Sequence, residues 1–90
     1  MIFELHVSKG VQKFLNKRDK KFIERVNAVF ARLRENPYNH PELDIKKLIN
    51  MENDFRVRVG KYRFLYTVVE SKILIFVYRA DSRGSIYKKQ

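Results

Sequence analysis

The first third of the chain changes from alternating to helical spacing of its apolar residues. Residues 2–7 alternate between apolar and polar side chains, which predicts a half-buried strand. Ser8 is placed to cap a short helix, and Asp19 to cap a second one. Apolar residues then recur at helical spacing over residues 22–33, until Pro37 ends the pattern. We expect the two helices to form a hairpin that covers one face of a sheet.

The second half of the chain has the patterns of β-strands. Residues 44–48 are compatible with a short strand or with a turn of helix. Residues 55–59 alternate strictly, and residues 62–69 and 72–79 continue a predicted meander that turns near Glu70. The predicted fold is α+β in two layers, with an N-terminal strand, a helical hairpin and an antiparallel β-meander packed on the helices. We expect a single domain over residues 1–90.

The register of the first hairpin of the meander follows from its turn. Gly60-Lys61 suits a two-residue loop, because glycine tolerates the positive φ that such a turn needs. With that loop, Arg58 pairs with Arg63 and Arg56 pairs with Leu65. Side chains alternate across a sheet, so the three arginines share one face, called the arginine face below. Arg58 and Arg63 are then directly opposite, which is unfavourable for like charges and predicts an anion beside them.

Charge and composition narrow the class of partner. Twenty basic and 10 acidic residues give a net charge of +10, and residues 55–90 hold 9 basic but only 2 acidic residues. This excess indicates a polyanion, above all nucleic acid. There is no cysteine, and His6 and His40 lack ligand spacing, so we expect no metal site and no cofactor. Without a signal peptide or a long apolar run, we expect no membrane contact and a cytoplasmic protein.

Arginines beside aromatic residues are typical of single-stranded RNA binding. The planar guanidinium group donates two hydrogen bonds to phosphate oxygens, and tyrosine rings offer planes on which unstacked bases can rest. The residues that we expect to bind RNA are Lys47, Lys61, Tyr78, Arg79, Lys88 and Lys89. The alternative is that the charges only keep an exposed sheet soluble, and we prefer that interpretation for the lysines of residues 9–21.

The run from Asp54 to Tyr66, preceded by Leu48, resembles the signature of the RelE/ParE toxin superfamily. In that signature a Lys-Leu pair is followed by an aromatic residue, an alternating basic strand, a glycine turn, and then Tyr-Arg with a further tyrosine. The ending from Arg79 to Lys88 resembles the final strand of the family with its closing arginine and tyrosine. The resemblance covers nearly the whole chain and favours the RelE type.

The resemblance implies a metal-independent ribonuclease that cleaves messenger RNA in the ribosomal A site. In such enzymes the ribose 2′-hydroxyl attacks the adjacent phosphate and leaves a 2′,3′-cyclic phosphate and a free 5′-hydroxyl. Arg58 and Arg63 would stabilise charge on the pentavalent phosphate, and Arg56 occupies the other basic position of that strand. By the same resemblance, Tyr87 orients the splayed base and Arg83 lies near the leaving 5′-oxygen.

The general base is left open by the sequence. Well-studied members often have lysines where this chain has Arg56 and Arg58, and a guanidinium group keeps its proton, with a pKa above about 12. Ser82 stands where the family has a histidine. Lys47 and Lys61 are weak replacements.

Other functions compete with this interpretation. A ParE-like inhibitor of DNA gyrase and a nucleic-acid-binding module without catalysis are the alternatives. For a toxin, we expect the ribosome, messenger RNA and an acidic, partly disordered antitoxin protein as partners.

Overall fold

The computed structural model describes residues 2–82, and in this part the chain forms two helices and five strands. The helices and strands are, in chain order, β1 (Glu4–Val7), α1 (Lys9–Asn16), α2 (Lys20–Glu35), β2 (Asp44–Lys47), β3 (Asp54–Val59), β4 (Tyr62–Val69) and β5 (Leu74–Ser82). A single 3-10 turn over Glu70–Lys72 joins the last two strands. The predicted α+β fold is confirmed, and residues 44–47 form a strand rather than a helical turn.

Both helices begin at the predicted caps. The Ser8 side chain accepts a hydrogen bond from the Val11 N–H at 3.2 Å, and Asp19 accepts one from the Phe22 N–H at 2.8 Å. Each cap satisfies an N–H group that the first helical turn leaves without a partner. The second helix ends before Pro37, as predicted. No helix in residues 2–82 is both long and apolar enough to cross a membrane.

The strands form one mixed sheet in the order β1-β5-β4-β3-β2. The meander of β3, β4 and β5 is antiparallel, and β2 adds to its edge in the same sense. Strand β1 pairs with β5 in parallel, and the two helices carry the chain from β1 to β2 at the opposite edge of the sheet. The helices therefore cover one face, called the helix face below, and leave the arginine face without them.

The predicted hairpin register is confirmed. Arg58 pairs with Arg63 and Arg56 with Leu65, and the turn begins at Gly60 with a φ of +63°. A side chain at Gly60 would be strained by that backbone conformation. Beyond the hairpin, a β-bulge between β4 and β5 leaves Tyr78 without a paired residue.

The hydrophobic core lies between the helices and the helix face. Phe64 is fully buried, and its ring meets those of Phe14 and Phe30 edge-on at centroid distances of 5.9 and 5.6 Å. The buried Tyr66 hydroxyl donates a hydrogen bond to the Pro37 carbonyl at 2.6 Å, which ties the sheet to the segment after α2. Burial raises the pKa of Tyr66 well above its ordinary value, so this donor keeps its proton.

Candidate anion-binding site

Seven charged residues on the arginine face lie in two neighbouring rows that run across the strands. The pairing of β2, β3, β4 and β5 places Asp44, Arg58, Arg63 and Asp81 in the first row. The second row consists of Lys46, Arg56, Leu65 and Arg79. The first row therefore has an aspartate at each end of its arginine pair, whereas the second row has three cations and no acid. The structure brings the three predicted arginines together on one face.

Asp44 bridges two of the arginines. Its Oδ1 lies 3.2 Å from Arg56 Nη1, and its Oδ2 lies 3.1 Å from Arg58 Nε. Arg56 Nη1 also donates a hydrogen bond to the Asp44 carbonyl at 3.2 Å. The protein thus supplies some of the negative charge that the crowded arginines require. The carboxylate comes from β2, a strand that the sequence left open.

The two bridged arginines differ in exposure. The Arg56 side chain is 11% exposed, whereas that of Arg58 is 39% exposed. A buried guanidinium group is costly to leave without an anion, so Arg56 depends on Asp44. Arg58 meets Asp44 through its Nε, and its side chain is the more open of the two to an approaching ligand. Arg58 is therefore the better placed of the two to meet a phosphate.

The bulge in β5 places two consecutive residues on the arginine face. The Tyr78 hydroxyl donates a hydrogen bond to Asp54 Oδ2 at 2.6 Å, and Arg79 is paired with Asp81 through its Nε. Burial, together with the hydrogen bond to Asp54, raises the pKa of Tyr78 to about 12. Tyr78 thus lies beside the second row, on the side away from the first row, and its hydroxyl is held by Asp54.

The predicted lysines occupy different places. Lys47 pairs with Phe55 and so belongs to the helix side of β2, while its neighbour Lys46 pairs with Arg56 on the arginine face. Lys61 lies at the hairpin tip, with Nζ 5.9 Å from the centre of the Tyr62 ring, which packs against the helices. Lys61 is therefore apart from the two rows. Arg83, Tyr87, Lys88 and Lys89 lie outside the described residues.

A groove of about 540 Å³ opens beside the second row. The groove is lined by Lys46, Arg56, Arg63 and Leu65, and by Leu48 and Ile49 from the segment after β2. The predicted Lys47, although it pairs with Phe55 at the end of β2, also borders this groove. A lining that combines cations with aliphatic groups suits a ligand that has both a phosphate and an apolar ring.

Acid and base chemistry has few candidates among the described residues. His6 lies 3.3 Å from Glu4 on the edge strand β1, and His40 lies 3.2 Å from Glu35 beyond the end of α2. His6 is on the strand next to β5, and His40 lies outside the sheet, four residues before Asp44. The ion pairs of the two histidines are with these glutamates and not with an arginine of the rows. No group of three or more metal-binding side chains occurs within residues 2–82. What the site offers is positive charge and hydrogen-bond donors.

Sequence reasoning missed three residues of this face, namely Asp44, Lys46 and Asp54. Asp44 and Lys46 alternate in a short polar strand, and their register against β3 depends on the conformation of residues 48–53. A β2–β3 pairing that places Asp44 beside Arg58 would have satisfied the predicted need for an anion. The repulsion between Arg58 and Arg63 was thus the feature of the sequence from which the β2–β3 pairing could have been predicted.

Solved structures of RelE toxins have the same fold as this chain. The chain shares its fold with RelE in an archaeal RelE–RelB complex from Pyrococcus horikoshii OT3, with a TM-score of 0.83 and 26% identity over 93% of this chain and 98% of that one. Isolated RelE of E. coli has the same fold, with a TM-score of 0.76 and 20% identity over 97% and 93% of the two chains. The molecule thus has the architecture of the small toxins of toxin–antitoxin systems.

The family follows from the sequence. Residues 7–87 match the pattern of the family described as "ParE toxin of type II toxin-antitoxin system, parDE", so the chain belongs to this toxin family. A protein of Methanocaldococcus jannaschii named as a toxin, RelE1, is 28% identical over 88 residues, which are 98% of each chain. The resemblance to the RelE/ParE superfamily is confirmed.

Proposed function

We propose that this toxin is a ribosome-dependent endoribonuclease that cleaves messenger RNA in the A site and thereby inhibits translation. The observation that carries the proposal is the convergence of Arg56, Arg58 and Arg63 on one sheet face. The helices leave this face uncovered, so an extended RNA backbone can approach it. RelE proteins with related sequences and the same fold support the choice of chemistry.

Electrostatics gives the arginine pair its role. Arg58 and Arg63 are cross-strand neighbours, and two like charges in that position repel each other. A phosphate between them relieves the repulsion, and a pentavalent phosphate with more negative charge relieves it further. Preorganised donors of this kind favour the transition state over the ground state, and one such donor is worth about 10²–10³ in rate.

The proposed reaction needs no metal. The 2′-oxygen of the ribose forms a bond to the adjacent phosphorus, and the bond from phosphorus to the 5′-oxygen breaks. The 2′-hydroxyl gives up its proton to a base, and the leaving 5′-oxygen takes up a proton. In this proposal Arg83 lies near the leaving oxygen and Tyr87 orients the splayed nucleobase. Neither Arg56 nor Arg58 is the general base, because a guanidinium group keeps its proton.

Binding to RNA and to an antitoxin completes the proposal. Contacts to the RNA strand are assigned to Lys47, Lys61, Tyr78, Arg79, Lys88 and Lys89. The related RelE chains were solved as RelB–RelE complexes, which supports a cognate antitoxin for this chain. With a net charge of +10, the toxin suits an acidic, partly disordered antitoxin. The proposed place of action is the cytoplasm, where ribosomes and messages are found.

Ribosomes stalled on a defined message provide the test. We expect the purified toxin to cut the A-site codon and to leave 5′-hydroxyl and 2′,3′-cyclic phosphate ends, and to leave the same message uncut without ribosomes. A matched message with one 2′-deoxy nucleotide at the cleavage position lacks the nucleophile, so we expect it to stay intact. Cuts that bear 5′-phosphate ends, or cuts in the 2′-deoxy message, would contradict the mechanism.

Inhibition of DNA gyrase is the second candidate function, because the family that matches this chain is named after the ParE toxin. A supercoiling assay with gyrase and relaxed plasmid distinguishes the two. Loss of supercoiling without cleavage of ribosome-bound message would favour the gyrase inhibitor, and binding to RNA without either effect would favour a non-catalytic module.

A further inference from the structure

The Asp44 carboxylate lies between two guanidinium groups, as a bound anion would. One carboxylate oxygen lies 3.2 Å from Arg56 and the other lies 3.1 Å from Arg58. A phosphate that spans two guanidinium groups places two of its oxygens in the same way. Asp44 therefore holds the position that an RNA phosphate would take between these strands.

Two observations show that the bridge is both fixed and accessible. Pairing of Asp44 with Arg58 in the sheet fixes its backbone, and the Asp44 carbonyl accepts a further hydrogen bond from Arg56. The Asp44 side chain is nevertheless 46% exposed, so a ligand can reach the carboxylate and replace it. In contrast, Arg56 is mostly buried and stays where it is.

We infer that Asp44 is a positioning residue that holds Arg58 ready for the phosphate and, as an anion in the same place, competes with RNA for it. This inference rests on the proposed function for its catalytic part, while its binding part stands without it. Loss of the carboxylate then has two opposite effects. RNA binds more tightly because the competing charge is gone, and the bound RNA is cleaved more slowly because Arg58 is no longer held in place.

Binding is tested with the full chain and a short single-stranded RNA labelled for fluorescence anisotropy. We expect Asp44→Asn to raise the affinity about fivefold and to steepen the slope of log K against log salt by about 0.7, the value for one more neutralised phosphate. Glu24→Gln is the matched control, because it removes one exposed carboxylate from α2 and gives the same net charge. We expect that variant to stay within about twofold of the wild type, with its salt slope unchanged.

Catalysis is tested on ribosome-bound message with the same variants. We expect Asp44→Asn to lower kcat about tenfold while KM falls, and Asp44→Glu, which restores the carboxylate, to recover most of kcat. If Asp44→Asn does not fold, the double variant Asp44→Asn with Arg56→Met removes the buried charge together with its partner. Its matched control is Glu24→Gln with Arg56→Met, which has the same net charge, and we expect the Asp44 double variant to bind RNA more tightly than this control.

Equal affinities and salt slopes for Asp44→Asn and Glu24→Gln would overturn the inference, and so would a change confined to the melting temperature. If wild-type protein does not cleave but the binding difference appears, the proposed ribonuclease fails and the competition by Asp44 stands.

Discussion

The two faces of the sheet use the same strands for different purposes. On the helix face, Val57, Phe64 and Tyr66 are fully buried and none carries a charge. On the arginine face, their immediate neighbours in the chain include Arg58 and Arg63. Because side chains alternate with a period of two, each strand adds to the stability of the fold on one side and to the binding of an anion on the other. Changes on the exposed part of the arginine face should therefore lower stability less than changes on the helix face.

The largest expected effect on stability is at the centre of the helix face. Phe64→Ala removes a fully buried ring that contacts two other rings, so the free energy of unfolding should fall by about 3–5 kcal/mol. Leu65→Ala is the matched control in the next position, on the partly exposed arginine face, and we expect less than half of that loss. Urea denaturation measures both. Similar losses for the two variants would show that the faces are not divided as described.

The next effect concerns a buried hydrogen bond. Tyr66→Phe removes the hydroxyl that donates to the Pro37 carbonyl and leaves that acceptor without its donor, which should cost about 1–3 kcal/mol. The same denaturation experiment measures the loss. A variant as stable as the wild type would mean that water replaces the hydroxyl at Pro37.

A smaller and pH-dependent effect is expected from Tyr78 on the arginine face. Its pKa is raised to about 12, compared with about 10 in the unfolded chain, so the folded state favours the neutral hydroxyl. This contribution to stability is complete below pH 10 and is lost as the pH rises from 10 to 12. We expect Tyr78→Phe to be slightly less stable at pH 8, and its stability to fall less steeply than that of the wild type above pH 10.

Denaturation midpoints at pH 8, 10 and 11 check the Tyr78 prediction. Tyr66 has a raised pKa in both proteins, so its contribution cancels in the comparison. Parallel pH profiles for the variant and the wild type would contradict the role of the Tyr78 hydroxyl.

Sequence reasoning succeeded where the structure is determined locally. The caps at Ser8 and Asp19 depend on side chains three residues from their partners, and the register of β3 against β4 depends only on the turn at Gly60. These features need no knowledge of the rest of the chain, and all of them are confirmed.

Features that depend on distant pairing were not predicted. The parallel pairing of β1 with β5 joins residues about seventy positions apart. The bulge at Tyr78 lies in a strand that is apolar on both faces, so no break in alternation marks it. The position of Asp44 depends on the conformation of residues 48–53. In this segment Asn50 has a φ of +65°, which the sequence pattern did not predict. The sequence therefore predicted the arginines of the site but not the carboxylate between them.

The central claim is that cleavage activity depends on where the positive charges lie on the protein rather than on the net charge. Two double variants that each lower the net charge from +10 to +8 test it in the ribosome cleavage assay. Arg58→Ala with Arg63→Ala removes the opposed pair of the arginine face, whereas Lys20→Ala with Lys21→Ala removes two exposed lysines at the start of α2. The first variant should lose at least about 10²-fold in cleavage rate while it remains folded, and the second should stay within about threefold of the wild type. Equal losses in the two variants would contradict the account.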